Sequence, residues 1–300
     1  MKRFLKIIGW TVAALVVITA LAFAGVILAS NAKLKKTFVV NVQPVQVPTD
    51  AAAVARGRHL AETRGCFACH GNDLGGATVF DNGAMGRVDG PNLTRGAGGV
   101  GASFSDDDFV RAIRHGVAPG GRGLFLMPSA DFAQFSDDDM GAIIAYVKSV
   151  PAVNKPNGPI ALGPVARALL AFGKIKLDAE KIDHANVKPA NVSLGVTVEY
   201  GRYLSVSCAG CHGSNFSGGK ITIGPPDWPP AANLTPYRDG GISKWTEADF
   251  ITALRTAKRP DGTELNPVMP RAFAALDDVE VKALWMFLKT LPAAATGSHD

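Results

Sequence analysis

Residues 65–71, GCFACHG, decide the fold, and they recur in closely similar form at residues 207–213, SCAGCHG. Both stretches contain the pattern Cys-x-x-Cys-His. The two patterns use all four cysteines of the 300-residue chain, so no cysteine remains for a disulfide framework or for a free thiolate ligand. We therefore expect one kind of site, present twice.

The two motifs lie at the centre of an internal duplication with an offset near 142 residues. The further matching pairs are GRHL at 57–60 and GRYL at 201–204, NLT at 92–94 and 233–235, Met-Pro at 127–128 and 269–270, and YVKSVP at 146–151 and FLKTLP at 287–292. Two units are too few for a solenoid. We predict one domain at 50–153, a second at 195–295, and a linker at 154–194 with a short helix beginning at Pro164.

Local signals predict helices in both repeats. Short helices are expected just before the motifs, at 51–64 and 197–206. Capping boxes of the form Ser/Thr-x-x-Asp or Asp-x-x-Glu open the later helices, and their members are Ser105 with Asp108, Ser136 with Asp139, Thr246 with Asp249, and Asp277 with Glu280. Strand-like alternation is scarce, so the predicted class is all-α with long loops.

The Cys-x-x-Cys-His pattern on an exported chain is typical of covalent haem attachment. A zinc site would need four ligands, and no second Cys or His cluster lies near either motif. A thioredoxin-like dithiol would need a βαβ context, which the pattern lacks. We therefore predict two covalently bound haem c groups, with thioether bonds to Cys66, Cys69, Cys208 and Cys211 and with His70 and His212 as axial iron ligands.

The second axial ligands are predicted to be Met127 and Met269, each 57 residues after the histidine of its motif and each followed by proline. A thioether raises the potential relative to bis-histidine ligation and closes the sixth position, which favours electron transfer over catalysis. Pro91 is expected to offer its carbonyl to the ring N–H of His70. Met140 and Met286 lie on predicted helices and are expected in the core.

Three arginines and four further histidines lie outside the predicted ligand sets. Arg111, Arg114 and Arg255 are candidates for neutralising haem propionates, although an exposed helix face explains them equally well. The remaining histidines have no histidine at the matching repeat position, so we expect His59, His115, His184 and His299 at the surface or in the terminus.

Residues 1–36 are predicted to form a membrane anchor with basic flanks. Residues 7–29 carry no charge, and 23 residues of helix span ~34 Å, enough for a bilayer core of ~30 Å. This apolar run is long for a signal peptide, so we expect an uncleaved single-pass helix, although small residues near 29–30 leave cleavage open. Without this segment the chain has 25 basic and 26 acidic residues, which gives no support to nucleic-acid binding.

The motifs, the late Met-Pro and the closing helices resemble class I cytochrome c domains fused in tandem behind a membrane anchor. The run from Pro91 to Val117 is similar to cytochrome c subunits of membrane-bound alcohol and aldehyde dehydrogenases. Those subunits usually carry three haems, whereas this chain has two motifs. The resemblance implies attachment in the inner (cytoplasmic) membrane, with the haem domains on the periplasmic or extracytoplasmic side.

Three functions remain open at this point. The first is a di-haem electron carrier, not itself an enzyme, that relays electrons from a dehydrogenase or quinol-oxidising complex to another cytochrome or a terminal oxidase. The second is a di-haem subunit of a haem–copper oxidase. The third is a di-haem peroxidase, which would need an open distal site with an acid–base group beside it.

Overall fold

The computed structural model describes residues 2–221 and 227–298, and most of its regular structure is helical, as predicted. Helix α1, Lys2–Leu34, is the one described helix that is long and apolar enough to cross a membrane, with a mean hydropathy of 2.8 over its most apolar window. Most of its apolar side chains are exposed, which fits membrane anchoring.

The chain folds into two compact units whose limits do not follow the sequence repeats. One unit comprises Met1–Val47, Phe67–Gln134 and Val147–Lys188, and the other comprises Pro48–Cys66, Phe135–Tyr146 and Pro189–Asp300. The second unit therefore takes helix α2, Ala51–Thr63, from the first repeat. The predicted domain limits of 50–153 and 195–295 describe the sequence duplication and stay a prediction.

The first unit contains the anchor, most of the first repeat and the linker. Beyond α1, its main elements are α4 (Asp106–His115), α5 (Ser129–Phe132) and α7 (Pro164–Ala171). As predicted, α7 begins at Pro164, and it packs against α1. Arg167 fixes this contact, because its Nη1 lies 3.0 Å from Ser30 Oγ and 2.9 Å from Asn31 Oδ1.

A small antiparallel sheet in the same unit was not expected from the sequence. Its strands are β1 (Thr78–Asn82), β2 (Gly86–Asp89) and β3 (Ile160–Leu162), in the order β1-β2-β3. These strands have three to five residues each, too few for a clear alternation of polar and apolar side chains. Val88 and Leu162 pack with helix α7 in a satellite core.

The second unit contains α2, the start of α6 (Asp137–Ser149), α8 (Val198–His212), α9 (Glu247–Thr256) and α10 (Asp278–Thr290). Helices α8 and α10 cross at Gly201, where a Cβ atom would lie 1.9 Å from the carbonyl oxygen of Ala283. Gly57 and Ala142 repeat this contact between α2 and α6 at the same distance. Glycine is needed at both crossings because no side chain fits between the two backbones.

Three of the four predicted capping boxes form in the structure. The Ser105 hydroxyl accepts a hydrogen bond from the backbone N–H of Asp108, and the Asp108 side chain accepts one from the backbone of Ser105. The same reciprocal pattern opens α9 at Thr246 and α10 at Asp277. At the start of α6 the Ser136 hydroxyl accepts from the backbone N–H of Asp139 at 3.2 Å, but the backbone N–H of Ser136 donates to the Tyr203 hydroxyl at 3.3 Å, so the predicted reciprocal box is wrong there.

The two motifs differ in how they continue the preceding helix. In the first repeat, Gly65 adopts φ +80° after α2, and the motif forms a separate short helix, α3, Cys66–His70. In the second repeat, α8 runs without interruption to His212, six residues beyond the predicted end at 206. Ser207 replaces the glycine there, so nothing breaks the helix.

Candidate functional site

The second Cys-x-x-Cys-His motif forms the last turns of α8 and faces a cavity. The His212 ring is buried, with 6% of the residue exposed, and its Nδ1 donates a hydrogen bond to the carbonyl of Ala232 at 2.7 Å. This bond assigns the ring proton to Nδ1, so Nε2 is left with a lone pair. Burial lowers the pKa of His212, which keeps the imidazole neutral and able to bind a metal.

The cavity has a volume of about 330 Å³, within the usual range for a small-molecule site. Cys208, Cys211 and His212 from α8 contribute to its wall, and so does Met269 from the loop before α10. The rest of the wall is mostly apolar and includes Ile221, Trp245, Phe250, Leu254, Phe273, Leu284 and Leu288. The cavity therefore brings the residues of the predicted second site together.

The first motif shows the same histidine geometry. His70 at the end of α3 is buried, with 7% exposed, and its Nδ1 donates to the carbonyl of Pro91 at 2.9 Å. This is the hydrogen bond that the sequence suggested. Burial lowers the pKa of His70, although the Pro91 carbonyl opposes the shift. Ala232 takes the place of Pro91 in the second repeat. Both histidines therefore bond to the carbonyl at the same position of their repeat, and this position is a rigid proline only in the first repeat.

An asparagine after each of these carbonyls holds the loop in place, a role that was not predicted from the sequence. Asn92 Nδ2 donates to the carbonyl of Val153 at 2.7 Å, and its Oδ1 accepts from the hydroxyl of Thr94 at 2.8 Å. Asn233 Nδ2 donates to Ala294 at 2.8 Å, with the same link to Thr235 at 2.7 Å. The repeated Asn-Leu-Thr triplet was the available signal.

The four cysteines are half-buried and none forms a disulfide bond. Burial raises the pKa of Cys69, and it raises the pKa of Cys208 to about 11, although the nearby charge of Arg64 acts in the opposite direction. Cys208 is therefore a protonated thiol at neutral pH, unlike the low-pKa cysteine of a redox dithiol.

The four methionines assigned from the sequence fall into three groups. Met127 and Met269 are half-buried in loops, and Met269 lines the cavity described above. Leu126, directly before Met127, has φ +62°, a strained conformation for a branched side chain. Met140 is fully buried, as expected, but Met286 is 37% exposed on α10, so its predicted place in the core is wrong.

The predicted surface position is wrong for His115, and the half-buried His59 and His184 both have side-chain partners. His115 is 3% exposed and its Nδ1 lies 3.1 Å from Nδ1 of the half-buried His184. His59 is half-buried and pairs with Glu280. These contacts join distant parts of the sequence, which explains why matching of the repeats did not find them. His299 lies outside the described residues.

The three arginines considered for propionates have protein contacts or are buried. Arg111 forms an ion pair with Asp108 on its own helix. Arg255 forms one with Asp278 across α9 and α10, at 3.2 Å. Arg114 is 2% exposed. The expectation of an exposed helix face therefore fails for Arg114.

The second site has the properties that a covalently attached haem requires. Two thiols and a neutral imidazole with a fixed proton lie along one helix, and a thioether lines the same apolar cavity. Thioether bonds to the thiols with histidine and methionine as axial ligands define the c-type haem proteins of this kind. The helices and this donor set therefore define the class: a c-type haem protein.

The chain belongs to the cytochrome c family. The family model for cytochrome c matches residues 54–151 and 198–292, so both repeats are cytochrome c domains. Such domains imply covalently bound haem c.

Several curated proteins are similar over most of the chain. The cytochrome subunit of fructose dehydrogenase from Gluconobacter japonicus is 28% identical over 85% of the chain. The gluconate 2-dehydrogenase cytochrome c subunit from Pantoea cypripedii is 30% identical over 81%, and the cytochrome c subunit of the quinone alcohol dehydrogenase from Gluconobacter oxydans is 25% identical over 83%. The aligned regions span 57%, 60% and 57% of these relatives, respectively.

Proposed function

We propose that the protein is a membrane-anchored di-haem cytochrome c that takes electrons from a membrane-bound dehydrogenase and passes them to another cytochrome or a terminal oxidase. The observation that carries this proposal is the duplicated motif, with a buried histidine bound through Nδ1 to a backbone carbonyl in both copies. Two haem sites with the same set of ligand residues in one chain are consistent with stepwise electron transfer.

Each repeat supplies a complete set of residues for one haem. Cys66 with Cys69, and Cys208 with Cys211, form the thioether bonds. His70 with Met127, and His212 with Met269, bind the iron. The bound haem supplies a one-electron iron couple, and the methionine thioether keeps that couple at higher potential than a second histidine would.

The carbonyls of Pro91 and Ala232 orient the histidines. A hydrogen bond from Nδ1 sets the tautomer and makes Nε2 the better donor to iron. The mostly apolar wall of the second cavity would keep water from iron held there, and Met269, which lines the same cavity, would supply the second ligand. Small molecules are thereby excluded, so no acid–base residue is needed and no catalytic residue is proposed.

The electron donor is proposed from the relatives. Three similar proteins are named as cytochrome subunits of fructose, gluconate and alcohol dehydrogenases. All three are named as subunits of a dehydrogenase that acts on a sugar, a sugar acid or an alcohol. We propose that the present chain receives electrons from a dehydrogenase of this kind, with a quinol-oxidising complex as the competing donor.

Helix α1 is proposed to hold the protein in the inner membrane by a single span. Haem attachment through Cys-x-x-Cys-His takes place outside the cytoplasm, which puts both haem domains on the periplasmic or extracytoplasmic side. The charges that flank the apolar core are balanced, since Lys2, Arg3 and Lys6 precede it and Lys33, Lys35 and Lys36 follow it. The proposed orientation therefore depends on the motifs.

Carbon monoxide binding to the reduced protein separates a carrier from a peroxidase. With both sixth positions closed by methionine, we expect no binding by the purified protein and no turnover of hydrogen peroxide. Met269→Ala should open one site and bind carbon monoxide, whereas Met286→Ala, on the exposed face of α10, should not. Rapid binding or peroxide turnover by the unaltered protein would reverse the assignment.

Substrate-driven reduction in membranes tests the donor. Membranes that contain the protein are supplied with alcohols, aldehydes, sugars or sugar acids, and the haem absorption is followed. We expect one substrate class to reduce the haems within seconds, also when quinol oxidation is inhibited. Reduction by quinol alone would favour the competing donor, and co-purification with a polytopic haem–copper subunit would favour the oxidase alternative.

A further inference from the structure

Arg64 is a buried arginine that the proposed haem ligation does not use. Only 7% of the residue is exposed. Its Nη1 donates to the carbonyl of Leu204 at 3.0 Å and to the hydroxyl of Ser207 at 3.2 Å. Its guanidinium lies over the rings of Phe135 and Tyr203, at 5.6 and 5.5 Å from their centroids. Neither Nε nor Nη2 finds a hydrogen-bond partner among residues 2–221 and 227–298.

The carboxylates that surround Arg64 are engaged with other groups. Asp139 accepts a hydrogen bond from Arg56 Nε at 2.8 Å and one from the hydroxyl of Tyr203 at 2.7 Å. Glu280 accepts from His59 Nε2 at 2.7 Å. Within the described part of the chain Arg64 has no ion pair, because these two carboxylates pair with Arg56 and His59. A buried cation without an ion pair lowers the stability of the fold, because its lost hydration is not replaced. Arg64 therefore has a cost in stability that the packing alone does not explain.

The positive charge lies beside the second candidate haem site. Ser207, which accepts a hydrogen bond from Arg64, lines the cavity and directly precedes Cys208. Burial raises the pKa of Cys208, and Arg64 is the group whose charge acts against that shift. The Arg64 guanidinium is thus hydrogen-bonded to the residue next to the first attachment cysteine of the second site.

The buried arginine is present in only one of the two repeats. The residue two positions before the first cysteine is Arg64 in the first repeat and Val206 in the second. Arg64 therefore comes from one repeat and projects its charge onto the site of the other. The two sites differ in their electrostatic surroundings even though their ligand sets match.

We propose that Arg64 raises the reduction potential of the iron held at the second site, an inference that rests on the proposed function. Oxidised iron carries one more positive charge than reduced iron, so a fixed cation in a weakly polarisable interior disfavours the oxidised state. With this charge beside it, the second haem is a better electron acceptor than it would be without the charge. The resulting difference in potential between the two haems helps to give the relay a direction.

A redox titration of Arg64→Met, followed by the haem spectrum, tests this inference. The Met269→His variant identifies the second-site couple by its lowered potential. We expect Arg64→Met to lower the equilibrium constant for reduction at this site by about tenfold, equivalent to ~59 mV for one electron. Arg58→Met, which removes an exposed charge from helix α2, which ends directly before Arg64 in the chain, should leave the potential of the second-site couple nearly unchanged. An unchanged Arg64→Met potential, or an equal shift in Arg58→Met, would overturn the inference.

Arg64→Lys keeps the test valid if Arg64→Met does not fold. The lysine retains the charge, so at neutral pH the potential should stay near that of the unaltered protein. Burial lowers the pKa of a lysine, so the potential should fall as the pH rises through that pKa, beyond any change in the unaltered protein. A variant without this added pH dependence would refute the role of the charge. Haem content is measured first, because a haem-free protein would refute the proposed function itself.

Discussion

Nε2 of His59 lies 2.7 Å from Oε2 of Glu280, so a histidine of the first repeat pairs with a carboxylate of the second. Glu280 is 1% exposed, and it also closes the capping box of α10 through the backbone N–H of Asp277. One carboxylate therefore serves the start of α10 and the contact between α2 and α10 within the second compact unit. Its protonation should affect both.

The pair predicts a definite pH dependence of stability. The hydrogen bond to Glu280 raises the pKa of His59 despite burial, which acts against it. Burial works to raise the pKa of Glu280, but the hydrogen bonds from His59 and Asp277 outweigh it and lower that pKa. The contribution of His59 is complete below its ordinary pKa of 6.5 and is lost as the pH rises through the raised value. That of Glu280 is complete above 4.5 and is lost in acid.

Urea unfolding of the detergent-solubilised protein checks this window. At pH 6 we expect His59→Gln to lower the free energy of unfolding by on the order of 1 kcal/mol, with a smaller difference at pH 9. His184→Gln is the matched control, because burial lowers the pKa of His184 and its difference should grow with pH. A His59→Gln difference that is the same at both pH values would contradict the assignment.

Exchange of the proposed methionine ligands should move one couple at a time. A second imidazole stabilises oxidised iron relative to a thioether, so Met127→His should lower the potential of one haem and leave the other nearly unchanged. Met269→His should do the same for the other haem. Equal shifts of both couples in one variant, or no shift in either, would count against the ligand sets in a redox titration.

The helix crossing at Gly201 should not tolerate a methyl group. A Cβ atom there would lie 1.9 Å from the carbonyl oxygen of Ala283, so the helices must separate. We expect Gly201→Ala to destabilise the protein by roughly 2–3 kcal/mol or to prevent folding. Gly120→Ala is the control, since nothing lies within 4 Å of its added atom. A thermal unfolding midpoint for Gly201→Ala that equals the control would show that the crossing is looser than described.

The local sequence was sufficient for the elements that depend on neighbouring residues. The capping boxes at Ser105 and Thr246 identify helices α4 and α9, because each signal lies within four residues. The Cys-x-x-Cys-His motif and the carbonyl of Pro91 likewise follow from short patterns and the repeat. The end of α8 was missed, because no breaker separates the helix from the motif in the second repeat.

The contacts that distinguish the two sites could not be predicted in this way. Arg64 reaches Leu204 and Ser207, and His59 reaches Glu280, over sequence separations of 140 to 221 residues. Comparison of the repeats misses these contacts, because the matching positions hold other residue types: Val206 for Arg64 and Tyr203 for His59. The exposed position of Met286 has a similar cause, since periodicity alone cannot show where a helix face meets solvent.

Haem content measured as the pyridine haemochrome, combined with mass spectrometry of the intact chain, tests the central claim most directly. We predict two haem c groups per chain that acid acetone does not extract, with one adduct on Cys66 and Cys69 and one on Cys208 and Cys211. A colourless protein, an extractable haem, or free thiols at any of these four positions would contradict the account.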